Sequence, residues 1–197
     1  MPLISADGCA IVAIDVQPGF FASSTMGAEA RKGGAATVDR AAWLAGLVGL
    51  MGMPIVVVEE GPDRAGPTDS RLLDRVPADT PIVSKTSFSA ARSPAAMNAI
   101  AATRRRTLVI IGFETDTCIA ESAIELQDLG YRVLVLEDAM YSASEIEHGR
   151  GVARLRQDGI EIRDCKSLIL EWNPDVHDAI GLVKAAAAAF GTAPMRL

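Results

Sequence analysis

Three side chains that can act together on a carbonyl group stand far apart in this 197-residue chain: Asp15, Lys85 and Cys118. Cys118 is the most informative. It follows Thr107-Leu-Val-Ile-Ile-Gly112, an apolar run that a glycine breaks, and then the cap-type residues Thr115, Asp116 and Thr117. Apolar positions at helical spacing come next, so the thiol is expected at or near a helix N-terminus. There the helix dipole favours the thiolate, the nucleophilic form of cysteine. The other reading of the same residue is a small buried core thiol. A nucleophilic cysteine also needs a proton acceptor and a group that lowers its pKa. Histidine is the usual base, but only His148 and His177 occur, both late and both in helical segments expected at the surface. A carboxylate and an ammonium group can replace it, with Asp15 accepting the thiol proton and Lys85 holding the thiolate by charge. Taken singly, Asp15 could cap a turn and Lys85 could be a solvated loop residue. Spacing alone does not assemble the three.

Apolar runs and helical patterns alternate along the chain. Strands are expected at Ala10–Asp15, Pro54–Glu59, Pro81–Ser84, Thr107–Gly112, Arg132–Glu137 and Ile160–Arg163. Helices are expected at Ala35–Met51, Pro94–Thr103, Thr117–Leu129, Ile146–Asp158 (closed by Gly159) and Asp175–Phe190. This alternation predicts an α/β fold, a three-layer α/β/α arrangement with a six-stranded, mostly parallel sheet and helices on both faces. Gly61–Ser70 reads as a loop rather than a boundary, so residues 1–197 are expected to form a single domain. In open parallel sheets ligands bind beyond the carboxyl ends of the strands. Asp15, Lys85 and Cys118 all fall at such ends or just past them.

The chain resembles the isochorismatase-like cysteine hydrolases from about Ala10 to about Trp172. Ile14-Asp15-Val16-Gln17 with Phe20-Phe21 is similar to the first-strand signature of that family. Ser84-Lys85-Thr86-Ser87-Phe88-Ser89-Ala90 is similar to its lysine segment. Gly112-Phe-Glu-Thr-Asp-Thr-Cys118, followed by Ala123, Gly130-Tyr131 and Glu137-Asp138-Ala139, matches its cysteine segment in spacing and residue type. The resemblance implies a Rossmann-like fold and a catalytic triad of Asp15, Lys85 and Cys118. It also implies a cis Phe113–Glu114 peptide that aims the N–H of Glu114 beside that of Cys118 as an oxyanion hole. Phe20, Gln17 and Phe113 are the implied substrate contacts. The implied chemistry is cleavage of a C–N bond in a small amide, imide or ureide through a thioester.

Departures from the pattern narrow this reading. Nicotinamidases of the superfamily bind a metal through Asp and His after the second strand. That stretch here holds Glu59, Glu60, Asp63 and Asp69 but no His, so no metal and no cofactor are expected. Glu59, Glu60 and Asp63 read as loop acids free to meet substrate, a cation or only water. Pro18-Gly19 replaces the Asn-Asp common in relatives. Asp116 is expected to cap the following helix, Thr115 to bond within the turn, and Asp138 to end its strand and cap the next turn. Two other classes stay open: a vinyl ether hydrolase in which Cys118 is incidental, and a non-catalytic small-molecule binder.

A net charge of −6 argues against nucleic acid or an anionic membrane as partner. Arg104-Arg105-Arg106, the one basic run, reads as a solvated turn. Three widely spaced cysteines fit reduced thiols, and the N-terminus lacks a signal-peptide pattern, so a cytoplasmic protein is expected. The Ala-rich last helix suggests a subunit interface, and relatives imply a homo-oligomer, a dimer or tetramer.

Overall fold

The computed structural model describes residues 3–24 and 26–197. Six parallel strands form one sheet: β1 (Cys9–Ile14), β2 (Ile55–Glu60), β3 (Ile82–Lys85), β4 (Thr107–Phe113), β5 (Arg132–Tyr141) and β6 (Glu161–Arg163). Their order is β3-β2-β1-β4-β5-β6, so the chain reverses its direction of travel across the sheet between β1 and β4. Central β1 is buried at every position, as a run covered on both faces must be. Alternate residues serve opposite cores. Ile11, Ala13, Val57, Val109 and Ile111 pack on one face with α2 (Ala28–Leu50), α8 (Cys165–Trp172) and α9 (Val176–Phe190). Ala10, Val12, Ile14, Val58 and Ile110 pack on the other with α5 (Pro94–Ala102), α6 (Ala120–Asp128) and α7 (Glu145–Gln157). Three single-turn helices lie in loops: α1 (Pro18–Phe21), α3 (Pro62–Ala65) and α4 (Ser70–Leu73).

Several elements differ from the sequence expectation for identifiable reasons. Helix α2 begins at Ala28 rather than Ala35, because Gly33 and Gly34 are packing sites and not breaks. A Cβ on Gly33 would lie 2.6 Å from the Tyr141 ring, and one on Gly34 would lie 2.6 Å from Phe21 Cβ. Strand β5 runs on to Tyr141. Its pairing with β4 slips between Ile110 and Gly112, so Gly112 faces Met140. Asp138 therefore lies inside a strand, and its Oδ1 accepts the N–H of Cys165 at the start of α8 (2.9 Å). The expected helix Thr117–Leu129 is found as α6 from Ala120 onward, and its start belongs to a π-helical turn, Thr115–Ile119.

Candidate active site

Asp15 directly follows β1 with φ +52°, a left-handed conformation that Asp tolerates better than most residues. Its N–H donates to the Val58 carbonyl (2.8 Å), so β2 holds the turn. Lys85 is the last residue of β3, two strands away from β1. That gap is about 10 Å, which a long side chain can span. The Lys85 ammonium donates to Asp15 Oδ2 (2.8 Å) and lies 3.4 Å from Cys118 Sγ. Cys118 sits within the π turn, where the Glu114 carbonyl accepts the N–H groups of Thr117 (3.2 Å) and Ile119 (3.0 Å). All three side chains are withdrawn from bulk water: Asp15 is 0% exposed, Lys85 1% and Cys118 3%. The structure thus brings together the three residues that sequence spacing could not assemble.

Gly112 allows this convergence. Its φ is +120°, and a Cβ there would stand 1.9 Å from the Ile14 carbonyl oxygen, beside Asp15. Only glycine lets β4 approach β1 so closely. The Phe113–Glu114 peptide is cis.

The electrostatics correct one expectation. A thiol at a helix start should be acidic, but burial raises this one. Desolvation, reinforced by the Asp15 charge and opposed by Lys85, pushes the Cys118 thiol up to about 12. Desolvation likewise raises Asp15 to about 6, with Lys85 pulling in the opposite direction. Burial thus disfavours a preformed thiolate at Cys118. Asp15 Oδ1 is buried and has no hydrogen-bond partner among the described residues. An acceptor in that condition is available to a proton or to a substrate N–H.

Other expected residues have different roles. Gln17 is fully buried, and its amide is committed to backbone. Its Nε2 donates to the carbonyls of Gly66 (2.5 Å) and Glu60 (3.3 Å), and its Oε1 accepts the Glu60 N–H (2.8 Å). It clamps two loops together rather than offering a group to substrate. Phe113 is fully buried with its ring 5.6 Å from that of Phe21. It shapes the site from within the core. Phe20 is half-buried against the same core. Glu59 is not a solvated acid: its Oε1 accepts both the N–H and the hydroxyl of Thr68 (2.7 Å each). Glu60 pairs with Arg64 (2.5 Å), and Asp63 is exposed. Asp116 caps no helix. Its Oδ1 accepts the hydroxyl of buried Ser142 (2.6 Å).

Sequence reasoning missed how α7 braces the cysteine turn. Thr115 bonds outside the turn, with its Oγ1 2.9 Å from Nδ1 of His148, whose ring stacks on Tyr141. His148 is half-buried rather than on the surface, and burial lowers its pKa. His177 is exposed, as expected. A Cβ on Gly151 would meet the Asp116 nitrogen at 2.6 Å, so α7 touches the turn backbone to backbone. On α6, the Ser122 hydroxyl accepts the Ala90 N–H (2.9 Å) and ties the segment after Lys85 to the helix after Cys118. No local pattern signals these contacts, since Thr115 and His148 lie 33 residues apart and Ala90 and Ser122 lie 32 apart.

The donor set after β2 does not fit the metal site of nicotinamidases. Glu59 is engaged with Thr68, Glu60 with Arg64, and no histidine is near in sequence. No group of three His, Cys, Asp or Glu suited to hold a metal ion occurs among the described residues.

The sequence and the fold match known proteins. The isochorismatase domain family model matches residues 9–167, and the chain belongs to that family. Isochorismatase domain-containing protein 2 of Xenopus laevis is 31% identical over 119 residues, 60% of this chain and 57% of that protein. The match thus spans less than two thirds of this relative. Among solved structures, the YcaC gene product of Escherichia coli, described as an octameric hydrolase of unknown specificity, has a TM-score of 0.82 at 20% identity, covering 95% of this chain and 90% of that one. YcaC from Pseudomonas aeruginosa, solved with hexane-2,5-diol and covalent acrylamide, has a TM-score of 0.77 at 19% identity, covering 95% and 93%.

Proposed function

We propose that this isochorismatase-family chain is a cysteine hydrolase that cleaves a C–N bond of a small amide, imide or ureide. The observation that carries the proposal is the single buried contact in which the Lys85 ammonium bridges Asp15 Oδ2 and Cys118 Sγ. Asp15 takes the thiol proton as Sγ attacks the carbonyl carbon. The N–H groups of Glu114 and Cys118 hold the oxyanion that develops. Asp15 then returns the proton to the leaving nitrogen, the C–N bond breaks and a thioester remains. Water, deprotonated by Asp15, hydrolyses it and frees the thiol. Lys85 stabilises each anionic state without itself transferring a proton. The structural neighbour that carries covalent acrylamide supports capture of a small amide-bearing electrophile on this fold.

The test is a panel of small amides, imides and ureides assayed with wild type, Cys118→Ala and Asp15→Asn. Turnover is expected in wild type only, with an acyl adduct on Cys118 detectable by mass spectrometry after rapid quench. Turnover that persists in Cys118→Ala contradicts the thioester route.

The three buried free thiols fit a reducing, cytoplasmic setting. No helix among the described residues is long and apolar enough to cross a membrane. The octameric neighbour and the exposed apolar residues Leu170, Val176 and Ile180 support a homo-oligomer built through α8 and α9.

A further inference from the structure

Thr115 opens the π turn that carries Cys118, and it is 0% exposed. A threonine in a turn ordinarily bonds to nearby backbone. Here, among the described residues, Oγ1 meets only Nδ1 of His148, at 2.9 Å. The imidazole is itself held by two elements. Its ring stacks on Tyr141 with centroids 5.4 Å apart, and Tyr141 closes β5 in register with Phe113. His148 also lies in the first turn of α7, where its N–H donates to the Ser144 carbonyl (2.9 Å). A buried hydroxyl proton needs an acceptor, and Nδ1 is the one in reach. Thr115 therefore donates, and the imidazole proton resides on Nε2. Burial favours this neutral ring, against the acids that face it: Glu137 on β5, Glu145 on α7 and Asp116 on the turn. The turn moves as a unit, because the Glu114 carbonyl accepts the N–H groups of Thr117 and Ile119 on either side of Cys118. It has no side-chain cap of its own. Ser142 and Arg154 also bond to it, both at Asp116. The tether at Thr115 thus helps decide where Sγ lies.

We infer that His148 is a positioning residue: through the Thr115 hydroxyl it holds the cysteine turn, and with it Cys118 Sγ, in reach of Asp15 and Lys85. This deepens the hydrolase reading and rests on it. His148 touches none of the reacting atoms and acts through its Nδ1 lone pair. The hydrogen bond sets the turn, not the ring stack, and two substitutions separate them. His148→Phe keeps an aromatic ring for Tyr141 and removes the acceptor. His148→Asn gives up the stack and returns an acceptor oxygen near the Nδ1 position.

The experiment measures Cys118 alkylation by iodoacetamide at neutral pH, followed by peptide mass spectrometry. It uses wild type, His148→Phe, His148→Asn, Thr115→Val, Thr115→Ser, the double variant His148→Phe with Thr115→Val, and Asp15→Asn. His148→Phe and Thr115→Val are each expected to slow the reaction about tenfold, since moving a reacting group by about 1 Å can cost about 100-fold. The double variant is expected to lose no more than either single one, because both remove the same bond. His148→Asn and Thr115→Ser keep the bond and are expected to react at close to the wild-type rate. Packing alone predicts the opposite order, with Phe tolerated and Asn impaired, and that order overturns the inference. So do losses that multiply in the double variant. Asp15→Asn separates this inference from the reading beneath it. A wild-type rate in Asp15→Asn contradicts the hydrolase reading, whereas a wild-type rate in His148→Phe with a slow Asp15→Asn contradicts the positioning role alone. Inertness of wild-type Cys118 contradicts both. If His148→Phe does not fold, nitrogen NMR of wild type with labelled histidine decides, since His177 is the one other histidine. The Nε2–H tautomer is expected for His148, and an Nδ1–H tautomer overturns the inference.

Discussion

Lys85 is the residue on which the site depends. A buried ammonium and a buried carboxylate are each expensive to desolvate, and removing one partner leaves the other uncompensated, a loss of about 3–5 kcal/mol. Lys85→Met is therefore expected to lower stability by about that amount in urea unfolding. The pH dependence of this stability has a definite sign. The folded state holds the Asp15 proton more tightly than the unfolded chain does, since its pKa is raised from 3.8 to about 6. Between those values the native state binds more protons, so this group favours folding at the acid end and loses that contribution as pH rises to about 6. Asp15→Asn removes the effect. Its stability relative to wild type should improve steadily from about pH 4 to about pH 7. A difference that stays flat, measured by unfolding at each pH, would show that Asp15 is not raised.

At the level of elements, the strands and most helices were legible because periodicity reports which face is buried. The ends of β1, β3 and β4 were legible too, and with them Asp15, Lys85 and Cys118. What periodicity does not report is which distant element a polar residue meets. Thr115 and His148 are 33 residues apart and join only because α7 crosses the cysteine turn. Glu59 looked like a loop acid because nothing local showed Thr68 folding back onto it. The glycines hold the same lesson. Gly33, Gly34 and Gly151 resemble helix weaknesses in sequence, yet each is a contact where no side chain fits. Gly151→Ala should thus push the turn while leaving the fold standing, at about 1–3 kcal/mol. Displacing the nucleophile by even about 1 Å can reduce turnover about 100-fold. A variant that keeps wild-type turnover would separate α7 from the site. Gly112→Ala is the more severe change, since its Cβ would overlap a backbone oxygen. It should fail to yield folded protein by circular dichroism.

For the whole molecule, the parallel sheet accounts for where the proposed site lies, at the carboxyl ends of β1, β3 and β4 near the β1/β4 reversal. The proposed triad is buried within one chain, so its assembly needs no partner residue. Association is proposed separately, for the α8–α9 surface. There Leu170 is 42% exposed, Ile180 48% and Val176 68%. Light scattering after size exclusion should show a species larger than the 20.7 kDa chain, and Val176→Glu with Ile180→Glu should shrink it. A wild-type monomer would contradict that assignment without touching the triad.

In the proposed reaction, Asp15, Lys85 and Cys118 act as one proton-transfer unit. The most direct measurement is the rate of Cys118 alkylation by iodoacetamide from about pH 4 to about pH 10, in wild type and Lys85→Met. With Asp15 as the base, the wild-type rate should rise through a limb near pH 6, far below the thiol's own titration near 12. Losing the ammonium should move that limb upward, because Lys85 lowers both partners. A wild-type profile with no limb below about pH 8, or one that Lys85→Met leaves in place, would contradict the account.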